Sequence, residues 1–531
     1  MKGYSRTRRV INTGAILALM LPKSLLAQTR SDTSTRTLTF LVDPEPTSLV
    51  AITDTSVGTN LVTSKTTEGL FNYTNDFTLI PALALGMKVS NDGKTVTFNL
   101  RKGVKWHDGK PFTSADVAFS FETLKQAHPR GRTTYANVTK IQTPDESTVI
   151  LEMSAPAPYL EYALASGESP VIPRHLYEGA NPATNPRNQA PVGTGPFVFK
   201  EWQKGSHVIF ERNPEYWDQG KPKLDRIVAR FLPNPAARAA AFEAAEVDIG
   251  GETPVPLSDV KRLAALASIG IELNGYAYSP IVQKIEFNLD NPYFKELKVR
   301  QAIAHAVSKQ FIVDNIWFGY GTPATGPIHS SQTKFYNPDV QKYEFDPAKA
   351  DRLLDEAGFR RQADGTRFRV NLDPLPLTPH PLVAEYLKQA LAKVGIGVTI
   401  RSQDFAGYMK RVYTDREFDF VNAAFATTCD PTIGVQRLYW SKNIRPGVPF
   451  SNGTHYKNAE VDRLLEAAQV EIDPAKRRQL FHDFQRVVAL DLPAVDLVDI
   501  NYLTVFNKRV KDHTVTADGV KSTMAGTYLA G

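Results

Sequence analysis

The stretch KWHDGKPFTSADVAFSF (residues 105–121) sets a histidine beside an aspartate and two lysines around a glycine, which is the composition of a place where chemistry occurs. It reads as either an active site or scaffold. A phosphate-binding loop is excluded: five residues separate Gly103 from Gly109, and a proline follows Lys110 where a magnesium-binding Ser or Thr is needed. Upstream, Val96, Phe98 and Leu100 alternate with polar neighbours as in a half-buried strand, and Val104 and Trp106 resume the alternation. Asp108-Gly109 predicts a turn. Thr113 caps a helix whose third residue is Asp116, and Val117, Ser120, Phe121 and Leu124 fall along one face. His107 therefore sits between strand and turn, with no second histidine within twenty residues, and scaffold is the favoured reading.

The 531 residues imply more than one domain, and 42% hydrophobic composition suffices for large cores. The formal charge of +6 is misleading, because Lys2, Arg6, Arg8, Arg9 and Lys23 lie in the first 27 residues without an acid among them; removing that segment leaves +1. A near-neutral body gives no electrostatic case for nucleic acid or an anionic membrane surface.

That basic start is followed by the apolar run AILALML (residues 15–21) and by SLLAQ, which predicts a signal peptide, residues 1–27, cleaved near Ala27. Leu25 is larger than usual for such a site. The run is too short to span a bilayer. Thr7-Arg8-Arg9 faintly resembles a twin-arginine signal, but Asn12 stands where an apolar residue is expected, which favours the general secretory route. Cys429 is the one cysteine, so an internal disulfide is impossible and no lipid-bearing cysteine follows the apolar run. These features suit a periplasmic protein of a Gram-negative cell.

Residues 28–37 are polar and predict a flexible lead-in. Beyond them, strands such as LTFLVD, TVILEM, FVFKEW, IVARF and VTIRS interleave with helices. The clearest helix is FDPAKADRLLDEAGF, with Asp346 as cap, Pro347 in the first turn, Ala350, Leu353, Leu354 and Ala357 on one face, and Gly358 as stop. The alternation predicts α/β domains. The ten histidines are scattered without an i, i+4 pair, and GxSxG and strand-borne GxGxxG sequences are absent. Nothing in the pattern points to an enzyme, a cofactor or a metal.

Five blocks together resemble one family, the large extracytoplasmic (family 5) solute-binding proteins of peptide, nickel and opine ABC importers. They are GVKWHDGKPFTSADVAFSFE; PVGTGPFVFKEW with RNPEYW; VRQAIAHAVSKQFIVDNIWFGYGTPATGPI; FDPAKADRLLDEAGF; and NAEVDRLLEAA with LDLPAVDL. The resemblance runs from about residue 38 to about residue 510. It implies a two-lobed periplasmic-binding-protein fold with an extra α/β domain, in which KWHDGKPF belongs to scaffold. Domain I is expected over 38–77, 196–285 and 506–531, the extra domain II over 78–195, and domain III over 286–505. The implied function is capture of a small polar organic solute, a peptide or an opine-like conjugate, and its delivery to an inner-membrane permease with its ATPase. A monomer without cofactor and without a reaction is expected. The alternative within the class is a nickel-chelate carrier; a secreted hydrolase is the rival outside it.

The family resemblance also places the ligand-facing loop, at FATTCDPTIGVQRLYW. Peptide-binding relatives carry an aromatic residue and, three positions on, an aspartate that pairs with the peptide ammonium. Here Phe425 holds the aromatic position and Thr428 that of the aspartate. The candidate ligand-binding residues are thus Phe425, Thr427, Thr428, Cys429, Asp430 and Arg437. Asp430 reads as the cap of a helix begun by Pro431, or as a ligand contact. Arg437 reads as a clamp for an anionic group or as part of a solvated face. Cys429 reads as a small buried filler or a thiol, and Tyr439 and Trp440 as stacking surfaces or core.

Overall fold

The structure, a computed structural model, describes residues 36–531. The expected signal peptide and most of the lead-in lie outside the described residues. The lead-in's last two residues are already structured: Arg36 is bound to Asp225 through its backbone N–H at 2.9 Å and its guanidinium at 3.0 Å, and Thr37 opens a strand.

Two large sheets carry the architecture. In the first, seven strands run in the order Ile269–Glu272, Thr504–Asn507, Ile249–Gly250, Thr37–Val42, Arg226–Phe231, His207–Arg212 and Phe197–Gln203. In the second, six run in the order Gly321–Pro323, Ala494–Ile500, Ile281–Phe287, Phe420–Ala426, Phe368–Pro374 and Ile396–Ile400. A four-stranded antiparallel sheet (Ala84–Val89, Thr95–Leu100, Thr148–Met153, Val138–Asp145) lies within the first lobe's segments and packs on helix Ser114–Ala127. The chain passes between the two large sheets twice, through residues 273–280 and 501–503.

This topology moves the expected boundaries. The division at 285/286 falls inside strand Ile281–Phe287, whose partners on both sides belong to the six-stranded sheet. The one at 505/506 cuts strand Thr504–Asn507, which belongs wholly to the seven-stranded sheet. At 77/78, Phe71–Tyr73 pairs with Leu79–Pro81 across the division, and one apolar cluster takes in Leu70, Phe71, Phe98 and Phe121. Sheet pairing is non-local, and block resemblance alone does not register it.

The opening stretch folds as its pattern requires. Trp106 is buried, Gly109 turns with φ +84°, and helix Ser114–Ala127 buries Val117, Ser120, Phe121 and Leu124. The Asp116 carboxylate accepts the Thr113 N–H at 2.9 Å, the Arg174 N–H at 3.0 Å and the Trp106 indole N–H at 3.4 Å, tying three segments to one helix start. The His107 Nδ1 accepts the Gly193 N–H at 3.2 Å, so its proton sits on Nε2, which donates to the Gly195 carbonyl at 2.9 Å. Burial pulls this imidazole down to about 4. A neutral ring spanning the PVGTGPF loop is scaffold.

Candidate functional site

The loop expected to meet a solute leaves the end of strand Phe420–Ala426 and enters two short helices, Pro431–Gly434 and Gln436–Tyr439. Its turn is tight. Thr428 takes φ +52°, and a Cβ on Gly434 would lie 2.0 Å from the Thr427 carbonyl oxygen, so only glycine lets the helix close over the turn. Thr427 binds the Pro280 carbonyl twice, through its N–H at 2.9 Å and its hydroxyl at 3.2 Å. Gln332 donates to the Thr428 carbonyl at 2.6 Å, and the Thr428 hydroxyl donates to the Asp430 carbonyl at 3.2 Å.

Asp430 is a helix cap, the first of its two readings, and an ion-pair partner as well. Fully buried, it accepts the Thr432 N–H at 2.8 Å while its two oxygens receive Arg477 Nη1 at 2.7 Å and Nη2 at 2.8 Å. Three of its carboxylate's roughly four acceptor sites are thus taken within the protein. The hydroxyl of Thr427 is likewise committed to Pro280. Cys429 packs among Tyr73, Tyr278 and Ile433 in the apolar cluster of the other lobe, and burial followed by Glu168 and Asp430 pushes its thiol well above the ordinary range. It is buried at the junction, where a small filler fits. Tyr439 is core and Trp440 packs half-buried against the same cluster: the Tyr439 hydroxyl accepts from Lys284 at 3.0 Å, and the Trp440 indole donates to Glu466 at 2.8 Å.

Arg437 remains. Its guanidinium donates to the carbonyls of Gly434 at 3.0 Å, Phe450 at 2.7 Å and Ala426 at 3.4 Å, and among the described residues it has no carboxylate partner. Burial, then repulsion from Arg130, lowers it to about 10. Phe425 stands beside it, buried and edge-on to Phe450 with centroids 6.0 Å apart. Facing this loop, Arg130 and Glu168 form a buried ion pair, with Nε–Oε2 at 2.7 Å. Tyr278 stacks on Tyr73 at 5.3 Å and donates to the Tyr162 carbonyl at 2.8 Å. Lys334 of the second lobe lies 5.5 Å from the Tyr162 ring centroid. The lobes are therefore in contact, around a junction holding a cation that makes no direct ion pair among the described residues. Sequence reasoning missed Arg130, Glu168 and Tyr278, which sit in segments without recognisable pattern. Among the described residues no three His, Cys, Asp or Glu side chains assemble as a metal cage.

Residues 78–446 match the model of the bacterial extracellular solute-binding proteins, family 5. The chain belongs to this family. Among relatives of this family, the Di/tripeptide-binding protein 3 of Pseudomonas aeruginosa is 30% identical over 82% of this chain and 84% of its own length. Two solved family 5 folds match closely. NikZ of Campylobacter jejuni, solved with Ni(L-His), covers 91% of this chain and 96% of its own at 25% identity and TM-score 0.80. AgaA of A. tumefaciens, solved with agropinic acid, covers 93% and 99% at 27% identity and TM-score 0.79. Family 5 architecture, two lobes with an added α/β domain, is what the three sheets build, and the family captures solutes. No described helix is long and apolar enough to cross a membrane.

Proposed function

We propose that the chain captures a small polar organic solute with an anionic group, a peptide or an opine-like amino acid conjugate, between its lobes. It delivers the solute outside the inner membrane to the permease and ATPase of an ABC importer and catalyses no reaction. Residues 273–280 and 501–503 serve as the hinge, and solute contacts to both lobes stabilise the closed form. The reading rests on Arg437, a guanidinium at the junction that donates to three backbone carbonyls and makes no direct ion pair with a carboxylate among the described residues. A planar fork of donors in that position suits a carboxylate. Thr428 supplies no charge for an α-ammonium, so the solute's anionic end anchors it.

The test is native mass spectrometry and metal analysis of protein recovered from the periplasm, followed by calorimetry. Free and N-acetylated forms of one peptide, with opine-like acids, are titrated into wild type and Arg437→Ala. We expect an organic acid among co-purified species, tolerance of acetylation, and a loss of about 2 to 4 kcal/mol in Arg437→Ala. A nickel chelate as the bound species, or a silent Arg437→Ala, overturns the reading.

A further inference from the structure

Strand Ile281–Phe287 carries Gln283, Lys284 and Glu286, all buried, on a sheet covered on both faces. Two of the three are fully engaged. Gln283 bonds to Trp317, Asn422 and His380, at 2.8, 2.9 and 2.9 Å. Lys284 pairs with Asp496 at 3.0 Å and donates to Tyr439 at 3.0 Å. Glu286 is different: 4% exposed, its carboxyl group has no hydrogen bond and no ion pair among the described residues.

Its surroundings share the deficit. Glu286 pairs in register with Val421, on the face that also carries Ala423 and Phe425, and the same apolar cluster contains Tyr408 and Tyr413. Both tyrosine hydroxyls are buried and face each other, without a well-aligned hydrogen bond to any other group among the described residues. Each phenol feels the charge of Glu286. Burial outweighs Lys284 and Arg437 and pushes the Glu286 carboxyl up to about 7. Arg437 links this cluster to the junction, since its charge is felt by Glu286 and Tyr413 on its own lobe and by Arg130 and Glu168 across the interface. The segment carrying both tyrosines also includes a π-helical turn, Lys410–Asp415, an irregularity common at functional sites.

We propose that Glu286, with the hydroxyls and ring faces of Tyr408 and Tyr413, receives a cationic side chain of the solute, an ammonium or guanidinium, while Arg437 holds its anionic end. A carboxyl group without a direct hydrogen bond and two phenolic oxygens with acceptor lone pairs to spare are complementary to a multi-donor cation. Glu286 thereby sets selectivity at a place in the sheet far in sequence from Thr428, where the counter-charge of peptide-binding relatives is missing. The inference rests on capture of a peptide or opine-like solute, as proposed above.

The probes are alanyl-lysine and alanyl-norleucine, each free and N-acetylated, and the carboxyethyl conjugates of lysine and norleucine, titrated by calorimetry into wild type, Glu286→Gln and Tyr413→Phe. We expect each lysine probe to bind wild type at least 30-fold more tightly than its norleucine counterpart. Glu286→Gln abolishes that preference while melting no lower than wild type when ligand-free, because a neutral amide replaces a carboxyl group whose charge is disfavoured by burial. Tyr413→Phe weakens only the lysine probes. If lysine and norleucine probes bind wild type equally, or Glu286→Gln keeps the preference, this inference fails and solute capture stands. If no probe binds wild type, the peptide and opine reading fails and takes this inference with it.

Discussion

Replacing Asp430 by asparagine keeps the shape of the side chain and removes its charge. In the native protein, Asp430 is fully buried, Arg477 is 4% exposed, and two hydrogen bonds of 2.7 and 2.8 Å join them. Arg477 also donates to the Ala468 carbonyl and the Thr432 hydroxyl, each at 2.8 Å, which fix its head in place. In Asp430→Asn the guanidinium cannot swing to water, and an amide NH₂ must face a donor. Breaking a buried pair from one side costs about 3 to 5 kcal/mol. The capping bond to Thr432 survives in the amide, so no cap loss is added. Adding Arg477→Met to Asp430→Asn removes the stranded charge, and stability returns to within about 2 kcal/mol of wild type. Urea unfolding followed by far-ultraviolet circular dichroism measures both steps. A loss below about 1 kcal/mol in Asp430→Asn, or a double variant less stable than the single, refutes the buried-pair account.

Gly434→Ala forces a Cβ to 2.0 Å from a backbone oxygen, and urea midpoints should show a loss of more than about 2 kcal/mol. His107 titrates near 4 in the native ring against about 6.5 in the unfolded chain, so the unfolded state binds the extra proton between those values and stability falls as pH drops through that window. This group removes about 2 kcal/mol of wild-type stability between pH 8 and pH 5, and the deficit of His107→Gln should therefore shrink over the same range in parallel unfolding curves. Iodoacetamide should label Cys429 in the folded protein at least 100-fold more slowly than in urea, as read by mass spectrometry, because its thiol is buried and held protonated.

Local signals were legible in the sequence. The helices begun by Thr113 and Asp346 appear with their caps and buried faces, since capping and 3.6-residue periodicity act over a few residues. Strand pairing was not: whether Ile281–Phe287 joins the first or the second sheet depends on partners more than a hundred residues away. The same distance hid the site. Asp430 reads as a cap from its own neighbours, but its ion-pair partner lies 47 residues on in helix Pro474–Asp491, and nothing local pointed to it. Glu286 was hidden differently. KIEF (residues 284–287) alternates polar and apolar as a solvent-facing strand does, and only burial of both faces turns Lys284 and Glu286 inward.

On the proposed capture between lobes, the two bonds from Thr427 to Pro280 place the loop expected to meet the solute on the pivot itself. A bulky solute that pushes the loop outward works directly on residues 273–280, with almost no lever arm over which the strain can dissipate. Such a solute is not turned away at the rim; it enters, and the jaw then fails to shut. Rejection by size is thus transferred from the lining of the pocket to the swing of the whole molecule, and an oversized compound registers as an occupied but open protein.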